Sequence, residues 1–374
     1  MRKLAVAVAV LAAVAVALAV AVHVRFGGGA RLPDRTAAPA LGPDALERVA
    51  DLPYPPGNIA VSASGRVLFT YHPDGHPPTS LMELRDGAPV PYAGGDASAW
   101  RTPLSVRIDG QNRLWVLDHA FYATGQPVLV AFDLATDREV HRHAFTSDVA
   151  PLLSMVNDFV VSPDGGTVYI ADASPVRGRP ALLVHDVAGN TTRRVLDGHP
   201  SVTTEDFRIQ APGRDMTFLF GLATLKIGVD TIALARDGGT LFYGPVTGAT
   251  LWAVPTAALR DAALAPDALA ARVAAHAEKP ISDGASSDDQ GRVYLTDPEH
   301  SAIVVVEPDG RLRTLVKDAR LRWPDGLSFG PDGWLYVSCS ALEDYLFLSD
   351  ADRAAHAPYQ IWRVRPGGSA PPGQ

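Results

Sequence analysis

A single cysteine, Cys339, in 374 residues excludes a fold held by internal disulfides. A chain of this length buries enough apolar surface to need none. Charge is sparse as well. Asp, Glu, Lys and Arg make up 20% of the residues and sum to −8, so the concentrated basic face that nucleic acid requires is missing. There is no phosphate-cradling Walker loop and no dinucleotide-binding glycine turn, and no nucleophile elbow is expected. What the chain has in quantity is turn formers. Its 33 glycines and 31 prolines are spread along the sequence rather than pooled, as many short strands joined by many turns require.

Only one long apolar run occurs. After Met1-Arg2-Lys3, the segment from Leu4 to Val22 contains no polar residue. A positive start followed by such a run reads as an export signal or an N-terminal membrane anchor, which we assign to residues 1–26. His23-Val24-Arg25-Phe26 is a poor cleavage site, and no cysteine follows for lipidation. Residues 27–44 read as a flexible linker, 45–366 as the folded domain and 367–374 as a disordered tail. The domain is therefore expected outside the cytoplasm, with a possible tether through residues 4–22.

The domain repeats one phrase six times: PGNIAVSASGRVLFTY (56–71), PLSVRIDGQNRLWVLD (103–118), NDFVVSPDGGTVYIAD (157–172), GVDTIALARDGGTLFYG (228–244), SDGASSDDQGRVYLTD (282–297) and PDGLSFGPDGWLYVS (324–338). Each is a pair of alternating segments around a glycine-containing turn, the pattern of a β-hairpin. A second strand pair follows most of them, as in LLVHDVAGNTTRRVL (182–196). Six four-stranded units make an all-β, six-bladed β-propeller. The sixth unit ends at YQIWRVRP without a fourth strand, so Ala45–Asp51 is expected to close the ring. The Ala-rich stretch 256–277, broken by Pro266, is read as one short helical insertion, an exposed spacer between blades four and five.

In a propeller the residues just before each inner strand face one another around the axis. Counting back from the aromatic of each hairpin gives Asn58, Leu104, Asn157, Asp230, Asp283 and Asp325. Hard oxygens converging on an axis suit Ca²⁺ or another divalent cation, or a polyhydroxylated or cationic small molecule. The competing reading is that Asn and Asp are turn caps there. Asp158, beside Asn157, is assigned as such a cap, and Asp109, Asp164, Asp237 and Asp332 at the hairpin tips are assigned structural roles. His141 and His143 share one exposed face of an outer strand without a third metal ligand. His72 and His119 follow hairpins and are within reach of a pocket. Cys339 is expected to be buried and inert.

RLWVLD (113–118), NDFVVSPDGGTVYIAD (157–172), GVDTIALARDGGTLFYGPVTGATLWAVPT (228–256) and WPDGLSF (323–329) resemble the major royal jelly protein/yellow family over about residues 45–365. The resemblance implies a six-bladed propeller, secretion and small-molecule binding. Some insect members act on dopachrome and others bind biogenic amines in the axial pocket. Lacking paired cysteines, this chain is similar to a bacterial relative rather than to the insect proteins. A looser resemblance to calcium-dependent gluconolactonases implies metal ligation by Asn157, Asp230 and Asp283, although the Glu those enzymes carry in blade one is replaced here by Asn58. The expected protein is thus a monomer binding a small molecule through Asn58, Asn157, Asp230, Asp283 and Asp325. The alternatives are a metal-dependent lactonase-like hydrolase or isomerase with Asp283 as its catalytic proton carrier, and a protein-interaction scaffold.

Overall fold

The computed structural model describes residues 2–94, 100–371 and 373, so Met1, residues 95–99 and two tail residues lie outside the description. Six four-stranded antiparallel sheets form a ring. Their inner strands are Pro56–Val61, Pro103–Ile108, Val156–Val161, Val229–Leu234, Ala285–Ser287 and Pro324–Phe329. These strands are covered on both faces by neighbouring blades, which is why they are almost entirely buried. Outer strands such as Arg138–Ala144 have only one neighbour and are largely exposed. Apolar clusters fill the wedges between blades. Trp115, Phe159, Val161 and Ile170 pack between blades two and three, and each such side chain contributes about 1.5–3 kcal/mol when fully buried.

Small hydroxyls stitch the inner strands together. Thr70 Oγ1 donates to Leu104 O at 2.5 Å, joining blades one and two, and Ser287 Oγ donates to Leu234 O at 2.5 Å, joining blades four and five. Across the seam between blades six and one, Ser338 Oγ donates to Gly57 O at 2.6 Å and Ser328 Oγ accepts from Val61 N at 3.1 Å. Backbone crowding dictates glycine nearby. A Cβ on Gly284 would overlap Asp325 O, and one on Gly326 would lie 2.9 Å from Ile59 N.

Blade six takes its outermost strand from the start of the domain: Glu47–Leu52 runs antiparallel to Tyr359–Val364. Arg363 Nη2 reaches Glu47 Oε2 at 2.8 Å across that pair. Four details differ from the sequence reading. The helical insertion lies inside blade four rather than after it: short helices Thr256–Arg260 and Pro266–Ala270 precede Ala274–Glu278, which is the blade's fourth strand. Nor is it the only helix in the domain, since Asp350–His356 forms another inside blade six. The 27–44 segment is not free of the ring. Leu32 is buried, Ala30 pairs with Phe207, and Leu41 N donates to Leu315 O at 2.9 Å. The described part of the tail also folds against the ring, where Gly373 N donates to Phe329 O at 2.9 Å.

Ahead of the ring is helix α1 (Arg2–Phe26), none of whose residues is buried and which is long and apolar enough to cross a membrane. Two small hairpins, Gln210–Ala211 with Arg214–Asp215 and Thr217–Phe218 with Ala223–Thr224, are inserted between blades three and four.

Deleting residues 47–52 should leave Tyr359–Val364 with an unpaired edge, an invitation to intermolecular pairing. The expected outcome is a lower melting temperature together with self-association in size-exclusion chromatography. An unchanged melting temperature and a monomeric profile would contradict the closing role.

Candidate functional site

The axial residues owe their orientation to a repeated backbone device. In blades one, two, three, four and six the inner strand gains one residue over its partner near its start. The extra residue falls within 56–59, 103–105, 156–159, 229–231 and 324–327. A bulge of this kind breaks the in–out alternation and re-aims side chains. It turns Asn58, Asn157, Asp230 and Asp325 toward the axis. In blade five pairing begins only at Ala285, and Asp283 precedes it. All five, with Leu104, line one cavity of about 1130 Å³.

Two axial residues escaped the sequence reading. Asp158, assigned there as a turn cap, is 4% exposed and faces the axis beside Asn157, because the bulge between Val156 and Phe159 turns both inward. Arg107 fills the place that Leu104 cannot. Its guanidinium, buried at 2% exposure, donates to Asp158 Oδ2 at 2.8 Å and to Asn58 Oδ1 at 2.5 Å. The signal was available: Arg107 is the one charged residue in PLSVRI, an otherwise uncharged, fully buried inner strand.

Among the described residues the remaining axial carboxylates have no cationic partner within ion-pair distance, and buried Lys279 acts on Asp283 only through its longer-range charge. Asp230 accepts from Asn157 Nδ2 at 2.6 Å and from Asp158 N at 3.2 Å. Asp283 accepts from Trp323 Nε1 at 2.6 Å. Burial, then repulsion from Asp283 and Asp158, pushes Asp230 well above the usual carboxylate range, and burial with repulsion from Asp283 and Asp230 does the same to Asp325. Asp283 is pushed up to about 6, by burial first, with the Trp323 hydrogen bond opposing. Asn157 Oδ1 is buried without a hydrogen-bond partner. Away from Arg107, the floor of the cavity is therefore a set of oxygens that no cation pairs directly among the described residues.

Above the floor the walls turn apolar, with Phe121, Val176, Phe218 and Phe347 among their residues. Phe121 is held by a turn of left-handed backbone in which Ala120, Phe121, Tyr122 and Ala123 all have φ between 49 and 56°. Left-handed geometry costs about 1–2 kcal/mol per non-glycine residue, so it must be pinned. Ala120 N donates to Asp118 Oδ1 at 2.7 Å, Phe121 N to Thr102 Oγ1 at 2.7 Å and Tyr122 N to His119 Nδ1 at 3.0 Å. His119 is thus a neutral, Nε2-protonated clamp, its pKa pushed down to about 4 by burial, and it does not line the cavity. His72 does line it and is also held neutral by burial.

Other assignments resolve more simply. Asp109 accepts from Gln111 N, Arg113 and Trp115 Nε1, and Asp164 and Asp237 accept from Gly166 N and Gly239 N, so these tips are structural. Asp332 sits at its tip with φ of 66°. Cys339 is buried and its thiol pKa is raised by that burial. His141 and His143 are half-buried rather than free, because His185 of blade three meets them. His141 Nε2 lies 3.0 Å from His185 Nε2, and Thr192 Oγ1 bridges His185 and His143. Among the described residues no group of three or more His, Cys, Asp or Glu is arranged to hold a metal ion. The run Gly326-Leu327-Ser328-Phe329-Gly330 spells the G-x-S-x-G pattern, but Ser328 is a fully buried stitch in mid-strand rather than a nucleophile on an elbow.

Fold and site together define a six-bladed β-propeller with an acidic axial cavity. Solved structures of similar shape include a calcium-binding regucalcin from Agrobacterium tumefaciens (TM-score 0.55, 12% identity, 86% of this chain and 92% of that one). A gluconolactonase from Xanthomonas campestris is similar in the same way (TM-score 0.56, 14% identity, 91% and 97%). At these identities the likeness is one of fold. The sequence profile of the major royal jelly protein family matches residues 101–338, and the chain belongs to that family. No curated protein matches it by sequence.

Removing Arg107 as Arg107→Met should strand Asp158 without its counter-charge, a change that costs about 3–5 kcal/mol in comparable buried pairs. Arg107→Met with Asp158→Asn should recover much of the loss in denaturant unfolding. Equal effects of the single and double variants would deny the pairing. A pH dependence follows from Asp283. Its folded pKa of about 6 lies above the ordinary value of 3.8, so the folded state holds the proton more tightly. The associated stability is complete below pH about 4 and is lost as pH rises through about 6. Melting curves of wild type minus Asp283→Asn should show a decline over that window, and a flat difference would refute it.

Proposed function

We propose that the protein is an extracytoplasmic, membrane-anchored binding propeller whose axial cavity takes a small molecule with a cationic end. The observation that carries this reading is the unbalanced charge at the cavity floor. Asp158 is ion-paired with Arg107, whereas among the described residues Asp230, Asp283 and Asp325 form no ion pair, and Asp283 feels only the longer-range charge of buried Lys279. In a poorly solvated site a protonated amine would relieve their mutual repulsion and displace the protons they retain. The apolar walls suit a ligand body attached to that amine. Helix α1 is the anchor in this reading, and the family resemblance agrees with both export and amine binding.

A divalent cation is the second candidate occupant. The floor offers hard oxygens from Asp230, Asp283 and Asn157, and Asn157 Oδ1 is an acceptor without a hydrogen-bond donor, its lone pairs open to a cation. Ca²⁺ bound there would polarise a substrate carbonyl. In the enzymatic version of this reading the reaction would be lactone hydrolysis or isomerisation, with Asp283 at the cavity floor as the proton carrier.

Thermal unfolding separates these cases. An alkylammonium ligand should raise the melting temperature of wild type, by an amount equivalent to about 2.7 kcal/mol at a hundredfold excess over Kd. Asp230→Ala and Asp283→Ala should abolish the shift, and Asp332→Ala, at an exposed tip, should retain it. A shift with Ca²⁺ that chelator reverses, and none with amines, would favour the metal site. If neither ligand moves the wild-type transition, the axial site is structural.

A further inference from the structure

Among the described residues outside α1, eight large apolar side chains are exposed, and seven of them lie around one rim. Phe121, Val176, Leu219, Phe220 and Phe347 line the cavity mouth. Leu152 and Leu153 sit beside them, since Leu153 N donates to Tyr122 O at 2.9 Å. The eighth, Val140, is on an outer strand of blade two. Scattered apolar residues need no explanation, but a contiguous rim of them on one face does. Phe220 is the extreme case. It stands fully in solvent at a hairpin tip where Leu219, Phe220 and Gly221 have φ of 50, 58 and 83°, a turn that glycine and asparagine would form at less cost. The left-handed turn at 120–123 likewise holds Phe121 outward, at 58% exposure.

The occupant of this rim is indicated by what else emerges from it. The last turns of α1 reach the same mouth: Val22 and Phe26 line the cavity, Thr224 Oγ1 donates to Phe26 O at 3.1 Å, and Lys226 Nζ donates to Gly27 O at 3.1 Å. Residues 2–18 touch the ring so little that all are exposed, so the helix leaves the ring through the cavity face. A helix suited to cross a bilayer and a collar of exposed aromatics share one side of the molecule. We infer that the cavity face docks on the surface of the bilayer that α1 enters, with Phe121, Leu152, Val176, Leu219, Phe220 and Phe347 seated among the lipids. The cavity then opens into the lipid interface and not into bulk water. Combined with the axial reading above, on which this clause rests, its ligand is an amphiphile drawn from the membrane.

The test uses the full chain in zwitterionic phosphatidylcholine vesicles. Cys339 is buried, so an environment-sensitive fluorophore will report from a single introduced cysteine. Labels at Phe220→Cys and Leu152→Cys should shift to the blue, be quenched by nitroxide-bearing lipids and be shielded from aqueous iodide. A label at Val140→Cys, also exposed but away from the rim, should show the reverse. The pattern should persist at high salt, because insertion is apolar. If the chain floats with the vesicles while the Phe220→Cys label remains open to iodide, the anchor stands and the docking is wrong. A chain that fails to float overturns both. Neither outcome bears on the amine-dependent melting shift, which reports the axial site separately.

Discussion

A propeller is held by closure. Each blade's sheet is covered only by its neighbours, so a ring with an open seam leaves two apolar faces and two strand edges in water. Here the seam is shut by the pairing of Glu47–Leu52 with Tyr359–Val364 and by the Ser338 and Ser328 stitches to blade one. Closure also fixes the radius of the axis. It presses the starts of six inner strands so tightly that Gly284 and Gly326 have no room for a side chain. Everything that converges on the axis, including the carboxylates, is brought there by that constraint.

Convergence carries an electrostatic cost, and among the described residues a direct ion pair offsets it only at Asp158. Arg107 neutralises Asp158 and orders Asn58, making one side of the axis a satisfied, rigid wall. The other side retains Asp230, Asp283 and Asp325, whose raised proton affinities record the same burial and crowding. A fold selected for stability alone would replace such groups. Their presence at the floor of an open cavity is the structural penalty that the proposed ligand would relieve.

The ring was legible in the chain because blade hairpins repeat their turn chemistry, with glycines and aromatics at fixed offsets. The axial register was legible for the same reason, since counting back from Phe69, Tyr169, Phe242, Tyr294 and Tyr336 lands on residues that do line one cavity. What the count could not resolve is parity. A bulge turns two successive residues inward, so Asp158 joins Asn157, and in blade two the axis is reached by a long side chain three residues beyond the register position. The placement of 274–278 failed for another reason. AAHAE has helical propensity, but its tertiary partner, the strand Thr250–Pro255, makes it a strand. The mouth of the cavity, built by loops and hairpins without a repeat, left no periodic trace at all.

The provenance of the closing strand governs the order in which the molecule can be made. Glu47–Leu52 leaves the ribosome before any blade, yet its partner is almost the last segment to emerge. The first strand of the domain is the last to be paired, and until then it is an open edge. Its sequence is suited to waiting: Glu47, Arg48 and Asp51 put charge along it, with Arg48 Nη1 3.0 Å from Asp51 Oδ2. Only residues 27–46 separate the strand from α1, so it waits near the N-terminal helix. The ring is thus completed by a segment that emerges before every blade, and a chain truncated before Tyr359 has no partner for it.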